Sequence, residues 1–425
     1  MSGIILSGLS IGLFLSTPVY SQDCIQITAK EIYDPATDQI LKGTSLVVQN
    51  GKIHSLTSEP NDCSQLDLSK LTLIPGLIDL HTHIFLEDKT AAVRFSDELV
   101  RLGKWSSDQR TSFAKDQLRS ILKSGFTTIR DVGNSGMFLD TKLRDSLASD
   151  SEVLPRIFGT GPGIATEQAQ FKTGVVGIES EYFLAKLPFK EEAFSPFLKN
   201  KVDGIKIYAD NDPGKGQMPE ELLKQLVTFF HSKKLKVSAH ATNDASAWMA
   251  ANAGVDSIEH GYGIKKRTLE LMAQKKIYLI PTEMSTRVVQ LVNRRNPDPL
   301  YVSARELHRK RGKRLRLALT LGVPIGFGSD AYMDLSKARL SRGELTLESL
   351  IAYSEEGLPA SAVLKTATVW AADFLGRDDL GRIREGATAD LVGYEKSPLK
   401  TAQGLKEPSF IMKDGKIVLF RQARK

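Results

Sequence analysis

The sequence predicts an α/β protein in which a (β/α)8 TIM barrel is joined to a small β-sandwich built from both termini. The middle of the chain alternates short apolar strands with amphipathic helices, a pattern typical of a parallel sheet assembled from βα units. Eight such units can be counted, which is the number that closes a barrel. The eight strands are expected at residues 76–83, 127–133, 156–164, 204–210, 236–241, 257–261, 278–283 and 324–331.

Both ends of the chain are instead rich in strands and tight turns. Asn50-Gly51, for example, separates two alternating apolar runs and is a strong hairpin signal. We therefore assign residues 22–73 and 384–425 to the two parts of the sandwich, and residues 74–383 to the barrel. The length of 425 residues suits one large barrel with a small companion.

The composition excludes several classes of protein. Apolar residues make up 41% of the chain, which argues against disorder, collagen and coiled coil. The 57 Lys and Arg against 50 Asp and Glu give a net charge of +7, which does not by itself indicate nucleic-acid binding. Basic residues are concentrated in residues 287–316, where a solvated helix face is expected. Because this stretch begins on the side of the barrel where strand seven ends, Arg287, Arg294 or Arg295 could instead hold a substrate carboxylate.

The first 21 residues are expected to be a signal peptide. Residues 4–15 form an apolar run too short to cross a bilayer, and small residues precede a cleavage point before Gln22. Export to the periplasm or secretion is therefore predicted, with no stable membrane anchor; an apolar first strand is the alternative. An oxidising compartment allows one disulfide between Cys24 and Cys63, the other possibility being two separate buried thiols.

Polar residues able to ligate a metal occur where the predicted barrel strands end. In a (β/α)8 barrel this end of the strands forms the active site. His81 and His83 are two residues apart, so both imidazoles face the same side of the first strand. Taken singly, each residue has a structural alternative, such as an N-cap for Asp330 or a salt bridge for Lys206. Their joint position argues for a site. The candidate residues are His81, His83, Lys206, His240, His260 and Asp330.

The run Pro75 to His83, PGLIDLHTH, resembles the opening signature of the amidohydrolase superfamily. Further segments resemble the branch related to imidazolonepropionase. Within that branch, Lys206 matches a lysine of the prolidase-type dipeptidases, which act on Xaa-Pro or Xaa-Arg. In those enzymes the lysine is carboxylated by CO2 and bridges two zinc ions. The resemblance covers nearly the whole mature chain. The segments that resemble the imidazolonepropionase-related branch are residues 125–133, 239–241, 253–261, 328–331 and 386–392.

The resemblance implies a binuclear site for two divalent metal ions, with zinc favoured. His81, His83 and Asp330 would hold the more buried ion, His240 and His260 would hold the other, and carboxylated Lys206 would bridge them. A metal-bridging hydroxide would attack an amide, and Asp330 would act as general base and then acid. The expected substrate is small, a dipeptide or N-acyl amino acid. The expected partners include a second copy of the chain and no nucleic acid.

Two tyrosines are further catalytic candidates. Tyr208 lies two residues beyond Lys206 on the same side of the strand, and Tyr262 follows His260-Gly261. Either phenol could hydrogen-bond an oxyanion or a substrate carboxylate, the alternative being an ordinary tyrosine at the rim.

Residues 166–171 (TEQAQF) replace the Gly-Gly-His stretch that many dipeptidase relatives have after strand three, which affects the expected substrate and leaves the metal ligands untouched. Hydrolysis of a cyclic amide, a lactone or a bulky aryl amide of the ochratoxin type is therefore an alternative. A mononuclear imidazolonepropionase-like hydrolase or deaminase is another, and a non-catalytic binding protein is the last.

Overall fold

The computed structural model describes residues 24–59, 62–87, 95–166, 181–210, 217–295 and 304–421. The predicted signal peptide and residues 167–171 of the unusual stretch lie outside the described residues. Within the described ranges no helix is long and apolar enough to cross a membrane.

The strands of the described residues fall into a terminal group and a barrel group. The terminal group is β1 (Cys24–Asp34), β2 (Gln39–Leu41), β3 (Ser45–Gln49), β4 (Lys52–Thr57), β5 (Ser64–Pro75), β15 (Leu391–Tyr394), β16 (Pro408–Lys413) and β17 (Lys416–Phe420). The barrel group is β6 (Leu77–Thr82), β7 (Phe126–Asp131), β8 (Arg156–Gly159), β9 (Gly163–Ala165), β10 (Tyr182–Leu184), β11 (Ile205–Tyr208), β12 (Val237–Ala241), β13 (Ser257–His260) and β14 (Tyr278–Ile280).

The α-helices of the described residues all lie between β6 and β15. They are α1 (Phe95–Gly103), α2 (Ser107–Lys123), α3 (Leu139–Leu147), α4 (Ser195–Lys199), α5 (Glu220–Ser232), α6 (Asp244–Ala253), α7 (Lys266–Lys275), α8 (Thr286–Arg295), α9 (Ala304–Thr320), α10 (Arg342–Glu355), α11 (Ala360–Thr366) and α12 (Val369–Phe374).

The strands of the two chain ends share one sheet. Its hydrogen-bonded order is β17, β16, β15, β5, β1, β3 and β4, with β2 paired to β1. In the middle of this order, β5 runs parallel to β1 and antiparallel to β15. The sheet covers its own apolar cluster, which includes Ile27, Leu46, Leu73 and Phe410. The joining of the two termini agrees with the sequence, whereas the division into two stacked layers and the domain boundaries stay predictions.

A disulfide joins Cys24, the first residue of β1, to Cys63, which immediately precedes β5. These two strands pair in parallel from Ile25 and Ser64 onwards. The bridge therefore closes the start of this strand pair, and the alternative of two separate thiols does not hold in the structure.

The barrel group shows the parallel pairing that a TIM barrel requires. In one part β6, β7 and β8 are paired, and in the other β9, β11, β12, β13 and β14 follow one another. Residues 324–330 close the ring, because Gly326 N donates to Leu279 O of β14 and Leu80 N of β6 donates to Phe327 O. The carboxyl ends of the strands therefore meet at one end of the barrel, as the sequence predicts.

Two predicted strands differ from the observed ones. The predicted strand at residues 156–164 is split into β8, which pairs with β7, and β9, which pairs with β11. Pro162, which has no N–H for the ladder, and Gly161, with a φ of 67°, lie in the break. Residues 324–331 form no regular strand, since Phe327 N donates to Thr366 O instead of a neighbouring strand.

Candidate metal centre

The first barrel strand supplies two buried imidazoles. His81 Nδ1 lies 2.6 Å from Glu259 Oε2, and His83 Nδ1 lies 2.9 Å from the carbonyl oxygen of Gly133. Because an acceptor faces each Nδ1, that nitrogen carries the proton in the neutral ring, and the lone pair is on Nε2. Both Nε2 atoms approach Asp330 Oδ1, at 3.7 Å from His81 and 3.4 Å from His83.

The fifth and sixth barrel strands supply two more imidazoles. His240 on β12 and His260 at the end of β13 have ring centroids 4.4 Å apart. His260 has a φ of 67°, a conformation that L residues rarely adopt. Its Nδ1 lies 2.8 Å from Thr282 Oγ1. His240 Nε2 is buried, lies 3.4 Å from Asp210 Oδ1 and makes no hydrogen bond within the described residues.

Lys206 and Asp330 complete the cluster. Lys206 on β11 is 1% exposed, and its Nζ lies 3.5 Å from His81 Nε2. The ligand atoms of His81, His260 and Asp330 lie within 4.8 Å of one another. Asp330 faces the imidazoles. It is not the N-cap of any helix whose cap the structure describes, and its φ is 50°. All six residues predicted to ligate metal therefore belong to one contiguous cluster.

Burial sets the protonation of this cluster. It lowers the pKa of His83 and His240 to about 3, with the Lys206 charge adding to the effect. It also lowers the pKa of His81 and His260 well below the usual value. Neutral imidazoles offer lone pairs, so four of them with one carboxylate form a donor set that suits divalent transition metals. Burial likewise lowers the pKa of Lys206 to about 8.

A charged network below the imidazoles was missed by the sequence reasoning. Glu259 is fully buried and accepts from Arg130 Nη2 at 2.8 Å and Ser257 Oγ at 2.7 Å, besides its contact with His81. Arg130 also donates to Ser238 Oγ at 2.6 Å. Burial raises the pKa of Glu259, but Arg130 and Lys206 outweigh it, so the carboxyl stays ionised.

A sequence signal for this network does exist. Ser257 and Glu259 are two residues apart on one strand, as are Ser238 and His240, so each pair points into the barrel. Polar residues that alternate along a predicted barrel strand were the available clue. Asp210 and Thr282 lie within predicted strands, but in the structure they follow β11 and β14, so alternation does not place their side chains.

The two predicted tyrosines lie beside the cluster. The ring of Tyr208 is 5.3 Å from that of His240, and Lys206 Nζ is 5.5 Å from its centroid. The hydroxyl of Tyr262 lies 2.9 Å from Thr282 Oγ1 and 3.4 Å from His260 Nδ1.

Arg287 has a different environment from the one that a substrate-binding role requires. It donates to Glu348 Oε1 at 2.9 Å and lines a cavity of about 790 Å³ whose lining includes none of the six cluster residues. The structure thus gives no support to a substrate-binding role for Arg287. Arg294 is exposed, and the side chain of Arg295 lies outside the described part of the chain.

Comparison with known proteins gives the family of this chain. The model of the Amidohydrolase family matches residues 72–418. An uncharacterized protein of Mycobacterium tuberculosis is 26% identical over 354 residues, covering 81% of this chain and 84% of that protein. Ochratoxinase of Aspergillus niger is 24% identical over 378 residues, covering 81% and 75% respectively. A crystal structure of a Xaa-Pro dipeptidase with bound methionine superposes with a TM-score of 0.79 at 25% identity, covering 93% of this chain and 100% of that one.

The chain belongs to the Amidohydrolase family. It is a hydrolase that acts on C–N bonds, as the sequence predicts. Imidazolonepropionases are also among its relatives, which agrees with the branch that the motifs indicate.

Proposed function

We propose that this protein is an exported, binuclear metal-dependent amidohydrolase that cleaves the amide or peptide bond of a dipeptide or N-acyl amino acid, as a prolidase does. One observation supports it most: Lys206 is buried among histidines and Asp330, with Nζ 3.5 Å from His81 Nε2. A mononuclear hydrolase or deaminase has no use for a lysine in that position.

In this proposal Lys206 is carboxylated. An ammonium group has no lone pair, so lysine can ligate a metal only after CO2 converts it to an anionic oxygen donor. Its low pKa favours that reaction, because the neutral amine is the form that attacks CO2. His81, His83 and Asp330 would hold one ion, His240 and His260 would hold the other, and carboxylated Lys206 would serve both.

Two divalent ions, with zinc favoured by this donor set, would polarise the scissile carbonyl and acidify a water molecule. The protein's own residues supply the rest. Asp330, the most open of the six with 20% of its side chain exposed, takes the proton of the water and passes it to the leaving amine. Tyr208 and Tyr262 offer hydroxyl donors to the oxyanion or to a substrate carboxylate.

The relatives support two substrate classes. The Xaa-Pro dipeptidase structure supports a dipeptide, and the match to ochratoxinase supports a bulky aryl amide as the second candidate. Parallel assays of Xaa-Pro dipeptides, N-acyl amino acids and aryl amides of amino acids distinguish the two.

Export is part of the proposal. The Cys24–Cys63 disulfide supports it, since such bonds persist mainly in oxidising compartments. N-terminal sequencing of the protein from its host should begin at Gln22, and an intact Met1 would count against export. A homo-oligomer also stays a prediction, which light scattering of the mature protein tests.

The central test is metal content. Elemental analysis should find about two metal ions per chain in the mature protein, falling to one or none in Lys206→Ala. Lys224→Ala, which removes an exposed lysine paired with Glu220, is the matched control and should keep both ions. Growth with ¹³C-labelled bicarbonate should give a carbamate NMR signal that Lys206→Ala lacks. One ion per chain, unchanged by the substitution, contradicts the binuclear mechanism.

A further inference from the structure

Tyr182 belongs to β10, a short strand that the sequence did not reveal. β10 runs parallel to β9, and Tyr182 is opposite Gly163 in that pairing. On the other edge of β9 lies β11, with Ile207 opposite Ile164. Tyr182 and Tyr208 therefore lie on the two strands that flank β9.

Gly163 is what allows the two phenols to meet. A Cβ atom at this position would lie 2.3 Å from Cε2 of Tyr208, so the Tyr208 ring lies directly on the glycine backbone. The ring centroids of Tyr182 and Tyr208 are 5.3 Å apart at an interplanar angle of 62°, and both residues are 4% exposed. Burial raises the pKa of Tyr208, and the neighbouring Tyr182 phenol adds to that rise.

Tyr208 also contacts the metal-centre cluster, with its ring centroid 5.3 Å from that of His240. The phenol is thus in contact with both the cluster and Tyr182. A hydroxyl that must meet a substrate atom gains from such a fixed orientation, because a misplacement of about 1 Å can cost 100-fold in rate.

The segment that supplies Tyr182 is itself anchored. The neighbouring Glu181 is fully buried and accepts two hydrogen bonds from Arg110 of α2, at 2.5 and 3.1 Å. Arg110 Nη2 also donates to the carbonyl oxygen of Asn134 at 3.0 Å. Just beyond β10, Ala185 N donates to Ala165 O at 2.8 Å. A guanidinium–carboxylate pair with two hydrogen bonds fixes the position of Glu181 well. The backbone on both sides of Tyr182 is therefore held in place.

We propose that Tyr182 is a positioning residue for amide hydrolysis, holding the Tyr208 hydroxyl across Gly163 at the place where Tyr208 meets the substrate. When a substrate oxygen meets Tyr208, the packing of Tyr182 against the Tyr208 ring keeps that phenol in one orientation. No proton is transferred between the phenols. This inference rests on the proposed function and assigns to β10 the task of orienting a phenol of the site.

A double-mutant cycle with Tyr182→Ala, Tyr208→Phe and the double variant tests it. We expect Tyr182→Ala to lower kcat/KM about tenfold, because the Tyr208 ring loses the packing that orients it. Metal content should not change. In the Tyr208→Phe background, Tyr182→Ala should have no further effect. Tyr33→Ala, which removes another buried phenol, one that bonds to Asp38 in the terminal sheet, is the control and should leave kcat/KM unchanged.

Additive effects of the two substitutions, or full activity in Tyr182→Ala, overturn the proposal. A second readout is independent of any substrate. In crystal structures of Tyr182→Ala and Gly163→Ala, the Tyr208 ring should be displaced while both metals remain bound. An unmoved Tyr208 in Tyr182→Ala overturns the positioning role even if no substrate is known, whereas absence of hydrolysis by the parent protein contradicts only the proposed function.

Discussion

Glu259 shows how one side chain determines the tautomer of another. Its carboxylate faces His81 Nδ1 and is kept ionised by Arg130, so the imidazole proton stays on Nδ1 and the lone pair on Nε2. The same carboxylate therefore links a buried positive charge to the orientation of a ring in the candidate metal centre. His260 and His83 have weaker counterparts in Thr282 Oγ1 and the Gly133 carbonyl.

Glu259→Gln should loosen the metal centre without abolishing the cluster. The amide cannot balance Arg130 and binds His81 less strongly, so metal affinity should fall about 10- to 100-fold. Competition with a chromogenic chelator measures this directly. Glu395→Gln, at an exposed position in a turn of the chain, serves as the control. Unchanged affinity in Glu259→Gln would show that His81 needs no carboxylate partner.

The six cluster residues were predictable from the sequence because each lies within a predicted barrel strand. Asp210 and Thr282 were not, since their roles depend on loop conformation. Thr282, His260 and Asp330 all have positive φ, between 50° and 67°. Such conformations cannot be inferred from residue type, and non-glycine residues adopt them only where the surrounding structure enforces them.

Among the structural elements, the regular strands were the predictable ones. β6, β7, β11, β12 and β13 lie within one residue of their predicted starts. The third and eighth strands were less regular than expected. In the third, Gly161 and Pro162 interrupt the ladder; in the eighth, bonds to the Thr366 carbonyl compete with strand pairing.

The contact between α9 and the end of α10 contains a titrating carboxyl. Glu356 follows α10 and is 1% exposed, and Arg316 Nη1 donates to its backbone carbonyl at 2.8 Å. Burial raises the pKa of Glu356 from 4.5 to about 7, although Arg311, Arg314 and Arg316 oppose the shift and Glu355 adds to it. The folded state therefore binds this proton more tightly than the unfolded state.

The sign of the resulting pH dependence follows from linkage. The free energy of unfolding should fall as pH rises from about 4.5 to about 7, by roughly 2 kcal/mol from this group. Glu356→Gln, which does not titrate, should remove that part of the slope. Urea unfolding across this pH range measures it, with Glu395→Gln as the exposed control. An identical slope in Glu356→Gln would assign the pH dependence to other groups.

At the scale of the whole molecule, the disulfide stabilises the terminal sheet. Cys24 and Cys63 are 39 residues apart, and the bond restricts the unfolded chain over that loop. Reduction, or the double substitution Cys24→Ser and Cys63→Ser, should lower the free energy of unfolding by about 2–4 kcal/mol. Urea unfolding with and without a reductant tests this. The double variant should not respond to reductant, and an equally stable reduced protein would contradict the expectation.

The pairing of β5 with β15 places Pro75 opposite Leu391, so the chain enters and leaves the barrel through neighbouring strands. During synthesis on the ribosome, β5 has no partner on that edge until residue 391 has emerged. Long-range pairings of this kind form late and fold slowly. This edge of β5 therefore stays unpaired until nearly the entire polypeptide has been synthesised. A nascent chain that stops before β15 leaves the edge open to pairing with other molecules.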